Sequence, residues 1–91
     1  MSVNYAVYIL YSEKDKRLYV GCTSNLDERL ARHRRGEVGA TRFRRPLTLI
    51  HSEEFVDKAE AFNRERFLKS LWGAREKKKI LREYLGLKHS A

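Results

Sequence analysis

The sequence predicts a small α+β domain, and three observations lead there. Two runs rich in aromatic and β-branched residues, Asn4 to Tyr11 and Arg17 to Cys22, are separated by only a short polar stretch and form a hairpin. A third such run, Leu47 to Phe55, follows a loop marked by glycines and a proline. The rest of the chain carries apolar residues at helical spacing between capping residues. The order is β-β-α-β-α-α, in one domain over residues 1–91 with its core at about 4–85.

The first strand, NYAVYILY, is apolar on both faces, which makes it the most buried. Ser12 to Lys16 is a polar turn. With a loop of Ser12 to Asp15, Tyr11 pairs with Lys16 and Tyr8 falls opposite Tyr19, so that both phenols share one face of the sheet. A slip of one residue would separate them. Thr23-Ser24-Asn25 supplies cap residues, and Glu28 stands three after Asn25 in capping-box spacing. A helix is expected from Leu26 to about Arg35, stopped by Gly36. Leu26, Leu30 and His33 fall along one stripe of it, with Arg29 alongside. Arg32, Arg34 and Arg35 make its end basic, which also suits the helix dipole.

In the loop from Gly36 to Pro46, Arg42, Arg44 and Arg45 surround Phe43. Arginines interleaved with an aromatic suit a nucleic-acid backbone and an exposed base. A Phe folded back to anchor the loop is the alternative, and the slightly favoured one. Asp57 caps the next helix, with Glu60 three residues on. Phe62, Leu68, Leu71 and Trp72 are expected to share its core face. Glu65 lies inside that arc, where a carboxylate costs several kcal/mol unless paired or metal-bound. It therefore meets an arginine or holds a cation. Gly73 breaks the helix. Ala74 to Leu85 forms the last one, with Ile80, Leu81, Tyr84 and Leu85 inward, Lys77 to Lys79 solvated, and a frayed tail from Leu87 to Ala91.

Twenty Lys and Arg against 12 Asp and Glu give a net charge of +8, which favours a polyanionic partner, most often nucleic acid. A basic protein with no such partner is the bland alternative. Cys22 is the one cysteine, which excludes an internal disulfide and a thiolate metal cluster and fits a small buried residue. No basic start followed by a long apolar run marks a signal peptide, and no apolar stretch is long enough for a membrane, so a cytoplasmic setting is expected.

Val7-Tyr8-Ile9, then Tyr19-Val20-Gly21, then Arg29 with His33 one turn later, then Glu65 on a later helix, resembles the GIY-YIG nuclease family. The resemblance runs from about Asn4 to Leu85 and is closest to the small single-domain bacterial members. Its most specific piece is TSNLDERLARH. It implies a three-stranded antiparallel sheet flanked by helices, and a metal-dependent DNA endonuclease hydrolysing phosphodiester bonds, with repair or recombination as a setting. Tyr8, Tyr19, Arg29, His33 and Glu65 take the catalytic positions, and Glu65 that of the ligand to magnesium or manganese. Ala6 stands where the family's name-giving glycine does, and no asparagine follows the glutamate between Arg66 and Tyr84. The added DNA-binding domain usual among family nucleases is not expected here.

The chemistry fits these residue types. Magnesium keeps most of its waters and often takes one or two protein carboxylates, so a lone Glu65 suffices; a Glu65–Arg29 salt bridge is the alternative. Arg29 has a planar fork that matches two phosphate oxygens. Tyr8 would accept or position the attacking water's proton, which needs cations to lower a phenol pKa near 10. Tyr19 would hold the phosphate or the water. His33 shares or replaces the base role. Arg32, Arg35, Arg42, Arg44, Arg45 and Lys69 are the expected nucleic-acid contacts. The partner is DNA, duplex or branched, and a homodimer would answer the difficulty of cutting two strands from one site. A non-catalytic nucleic-acid-binding module on the same fold is the competing function.

Overall fold

β1 (Tyr5–Ser12), β2 (Leu18–Thr23), α1 (Leu26–Arg35), β3 (Leu47–Phe55), α2 (Lys58–Lys69) and α3 (Ala74–His89) follow one another in the expected order. The computed structural model of the chain describes residues 4–89. The sheet is antiparallel throughout, with strand order β2-β1-β3. The all-apolar strand is thus the central one, and every residue from Ala6 to Ser12 is buried.

The hairpin register differs from expectation by two residues: Tyr8 lies opposite Gly21, and Tyr19 opposite Leu10. The loop is longer because its polar residues close it further on. Ser12 Oγ accepts from the backbone N–H groups of Lys14 and Asp15, Asp15 accepts from Arg17 N–H, and Lys16 takes a left-handed φ of 63°. A slip of two keeps the face, so both tyrosines still point to one side of the sheet.

The two faces carry different helices. Val7, Ile9 and Val20 pack against Ala61 and Leu68 of α2, with Cys22, Ile50, Phe55 and Ile80 partly buried around them. Burying each such aliphatic side chain contributes about 1.5–3 kcal/mol. The opposite face, bearing Tyr8 and Leu10, receives α1. That helix is capped by Asn25, whose side chain accepts from Glu28 N–H at 3.1 Å, and closed by Gly36 at φ 78°. Asp57 caps α2 by accepting from Ala59 N–H, one position short of a capping box with Glu60.

Four packing expectations are overturned. Phe62 is 45% exposed, Leu71 93% and Trp72 83%. The inward arc of α2 is narrow, running along Ala61 and Leu68, and the helix ends at Lys69. A 3-10 turn over Leu71–Gly73 follows, so the helical phase that would have carried Leu71 and Trp72 under Leu68 is lost. Phe43, expected to fold back, is 73% exposed. The loop is anchored by Thr41, Arg44 and Arg45 instead. The tail expected to fray from Leu87 is helical to His89; Ser90 and Ala91 lie outside the described residues.

Arg64 ties three elements together. Its guanidinium grips Glu53 of β3 at 2.8 and 2.9 Å and also reaches Glu76 of α3, while His51 sits 2.7 Å from Glu53. The guanidinium holds both carboxyls below their ordinary range. Carboxyls depressed in the folded state stabilise it above their unfolded pKa, about 4.3, and that stability is lost as pH falls through the folded values. Arg64→Met should therefore lower unfolding free energy at neutral pH by about 1–3 kcal/mol. Urea titrations should also show a shallower loss of stability below about pH 4.5 than in the parent.

Candidate active site

The sequence places a tyrosine on the central strand, pointing toward α1, where its hydroxyl cannot reach water. Burying a phenol oxygen without partners costs energy, so the surroundings must supply them. They do. Tyr8 is fully buried, its Oη lies 2.9 Å from His33 Nε2, and Arg29 Nε–H donates to it at 3.3 Å. Arg29 and His33 are four residues apart, so one face of α1 presents both to the same oxygen. Among the described residues, no buried side-chain nitrogen or oxygen lacks a partner.

The chain of bonds continues. His33 Nδ1 lies 2.7 Å from Thr41 Oγ1, and the Thr41 hydroxyl donates to Val38 carbonyl at 3.5 Å. With that proton placed, His33 Nδ1–H donates to Thr41 and the bare Nε2 accepts from the Tyr8 hydroxyl. Thr41 is fully buried and belongs to the loop after α1. Sequence reasoning missed it. A threonine in a glycine- and arginine-rich loop has no periodicity to mark it, and its only clue is a polar group buried in the fold.

Tyr19 completes the cluster. Its ring centroid lies 6.3 Å from that of Tyr8 and 5.2 Å from that of His33, the latter edge-on. Gly21 explains how the Tyr8 ring fits. A Cβ at Gly21 would stand 2.4 Å from Tyr8 Cζ and Oη, so the phenol crosses β2 at the one position without a side chain.

The electrostatics follow from burial. Burial pushes the Tyr8 phenol up to about 12, against the opposing pull of its hydrogen bond from Arg29. Burial, then the charges of Arg29 and Arg32, push His33 down to about 4. The sequence-based expectation that cations lower the tyrosine is therefore not met in the free protein, where desolvation is the larger effect. Tyr8 is a neutral phenol and His33 a neutral imidazole at neutral pH.

Glu65 is not joined to this cluster by a hydrogen bond or ion pair. Its carboxylate meets Lys69, at 3.0 Å, and not Arg29, the salt-bridge partner named as the alternative to a metal. It lies on α2, on the other face of the sheet, near enough to Cys22 to add to the rise that burial gives that thiol. Cys22 adjoins Gly21 on the edge strand. Phenol and carboxylate thus approach neighbouring residues of β2 from opposite faces. No three His, Cys, Asp or Glu side chains group as metal ligands among the described residues. Glu65 is a partly buried hard-oxygen donor whose charge Lys69 balances, so a cation held there would have to displace that ammonium and keep most of its own waters.

Of the expected nucleic-acid contacts, most are engaged within the chain. Arg32 and Arg35 approach Glu37 at 3.9 and 2.6 Å, Arg44 binds Asp15 at 2.6 Å, and Lys69 binds Glu65. Arg45 donates to the carbonyls of Arg42 and Arg34, both at 3.1 Å. Arg42 alone leaves its guanidinium in no ion pair or hydrogen bond among the described residues; it lies over the Phe43 ring at 5.0 Å.

Two outcomes are expected. Gly21→Ala should displace the Tyr8 ring, seen as large chemical-shift changes at Tyr8 and His33 with the rest of the spectrum in place. In a nitrogen-15 titration His33 should change charge near pH 4 in the parent, and at higher pH in Arg29→Ala. It should stay below the ordinary 6.5 or so, because burial is the larger cause.

Comparison with known proteins agrees with this architecture. The pattern of the GIY-YIG catalytic domain matches residues 4–79. A UPF0213 protein of Natronomonas pharaonis is 41% identical over 85 residues, spanning 91% of this chain and 98% of its own length. One of Clostridium perfringens is 46% identical over 71 residues, spanning 76% and 73%. The solution NMR structure of a UPF0213 protein from Bacillus halodurans superimposes with a TM-score of 0.56 at 34% identity, covering 87% of this chain and 83% of that one. The buried Tyr8 beside Arg29 and His33, on a β2-β1-β3 sheet, thus sits within a matched domain that spans most of the chain, and the chain belongs to the GIY-YIG catalytic domain family.

Proposed function

We propose that this protein is a metal-dependent DNA endonuclease whose reaction centre is the Tyr8 hydroxyl. The observation that carries the reading is the double engagement of that oxygen, by an imidazole at 2.9 Å and a guanidinium at 3.3 Å. A structural tyrosine needs one partner. A phenol set between a potential proton acceptor and a fixed cation is arranged for proton traffic.

Phosphodiester hydrolysis requires a deprotonated water and compensation for charge growing on phosphate. Arg29 stands beside Tyr8 and has a fork suited to phosphate oxygens. Tyr8 Oη is fully buried in the free protein, so substrate binding would have to open a path for water to it; Tyr8 would then take the water's proton while passing its own to His33 Nε2, keeping the phenol neutral overall. In the free protein burial opposes that last transfer at both ends, raising the phenol to about 12 and lowering the imidazole to about 4. An anionic phosphate beside Arg29 and Arg32 offsets two of the three influences that depress His33. The substrate's own charge would thus raise the acceptor's basicity. Thr41, bonded to Nδ1, would hold the ring so that Nε2 stays free to accept. Tyr19 packs on both rings and would limit their rotation.

Glu65 would hold a magnesium or manganese ion, which supplies Lewis-acid stabilisation of the phosphoryl and leaving oxygens. Lys69 sits on that carboxylate in the free protein and, being exposed on a flexible stem, would move to a phosphate when a cation arrives. The net charge of +8 supports a phosphate-rich substrate.

One observation favours a second reading. Glu65 makes its ion pair with Lys69 and has no bond to the Tyr8 cluster, as a binding module with no turnover would allow. The two readings part in a cleavage assay on duplex, branched and single-stranded DNA with magnesium, manganese or chelator. We expect cutting that needs the metal and falls at least 100-fold in Glu65→Ala. Salt-sensitive binding by both proteins without cutting would replace the nuclease with the binding module.

A further inference from the structure

Phe43 is a large aromatic exposed to solvent on a loop that the fold holds rigid. Arg44 N–H donates to Thr41 carbonyl at 2.9 Å, closing a four-residue turn with Arg42 and Phe43 at its corner. Both ends of the turn are pinned. Thr41 is bonded to His33 at 2.7 Å. Ser12 Oγ donates to Arg44 carbonyl at 2.6 Å, and the Arg44 guanidinium holds Asp15 at 2.6 Å. Arg45 adds two bonds to the carbonyls of Arg42 and Arg34. Three of the loop's polar side chains are spent on fixing the turn, and the ring they display is 73% exposed.

The exposed ring, on a turn tied at both ends, presents a flat apolar face at a fixed place, where a planar partner would gain from burying it. Arg42 lies over it at 5.0 Å, leaving an aromatic face flanked by a cation that has no other bonded partner among the described residues. That combination of a flat π surface and a phosphate-seeking charge fits a nucleobase with its backbone. A paired base inside a duplex is already stacked on its neighbours and offers no free face. The turn also begins at Thr41, one side-chain bond from His33 and two from Tyr8.

We infer that the Arg42–Phe43 turn is a stacking platform for an unpaired nucleotide of DNA beside the cleaved phosphate. Its substrates are accordingly single-stranded, bulged or branched DNAs with at least one base out of the stack. The inference rests on the nuclease reading for the position of the scissile phosphate. The platform itself is a binding claim and is tested apart from turnover.

The test is equilibrium binding in chelator, where no cutting occurs. The probes are a DNA oligonucleotide with 2-aminopurine in a one-base bulge, the same probe fully paired, and a single-stranded RNA of the same sequence. The parent should bind the bulged DNA more tightly than the paired one and quench its 2-aminopurine. Phe43→Ala should weaken bulge binding by about 5- to 150-fold, the range for one stacked base, with paired-duplex binding unchanged and circular dichroism as in the parent. Phe43→Trp should restore both affinity and quenching. Equal affinity of the parent for bulged and paired DNA would overturn the platform, as would an unchanged affinity in Phe43→Ala. Tighter binding of the RNA than of the bulged DNA would overturn the assignment to DNA. Loss of metal-dependent cutting with the bulge preference intact would overturn the nuclease and leave the platform standing.

Discussion

One buried oxygen governs this fold. Tyr8 Oη sits in the middle of the central strand with no access to water, and its two partners come from a single helix. An unsatisfied hydroxyl there would cost on the order of 1–3 kcal/mol, a large share of a small domain's stability. The position of α1 on the sheet is therefore tied to the same bonds that would make the proposed reaction centre. Removing a partner would disturb structure and chemistry together.

The constraint spreads outward from that oxygen. Gly21 must lack a side chain so that the ring can lie across β2. Thr41 must be buried so that His33 Nδ1 is satisfied and Nε2 faces the phenol. Fixing Thr41 fixes the loop that follows, and Ser12, Arg44 and Asp15 finish the task. Arginines that would otherwise advertise a basic surface are largely consumed in this scaffolding. What remains exposed on the loop, Arg42 and Phe43, is displayed because its neighbours are tied down.

Much of this was legible in the residues. An apolar strand bearing Tyr8, a second strand bearing Tyr19, an Asn25–Glu28 cap and the Arg29–His33 spacing give the sheet, α1 and four members of the cluster, because those signals are local. The hairpin register differs from the residue count by two, since Ser12 and Asp15 close the loop through side-chain bonds that a count of residues does not reveal. The face was right because parity survives an even slip. Leu71 and Trp72 continue the helical periodicity of the sequence, but α2 ends at Lys69 and a 3-10 turn carries both out to solvent. Thr41 was invisible, being defined by a contact with a residue eight positions earlier and not by any pattern. Glu65 stands out as a carboxylate on an apolar arc, while its partner, Lys69 one turn later, is an ordinary i,i+4 neighbour that the pattern does not single out.

The central claim is that the Tyr8 hydroxyl carries out the reaction, beyond holding α1 in place. Single-turnover cleavage by Tyr8→Phe, with DNA affinity measured on the same preparation, separates the two most directly, since Phe keeps the ring and removes one oxygen. The account predicts a folded protein with near-parental affinity and a cleavage rate lower by at least 100-fold. Cleavage within a few fold of the parent by a folded Tyr8→Phe would contradict it and move the chemistry elsewhere.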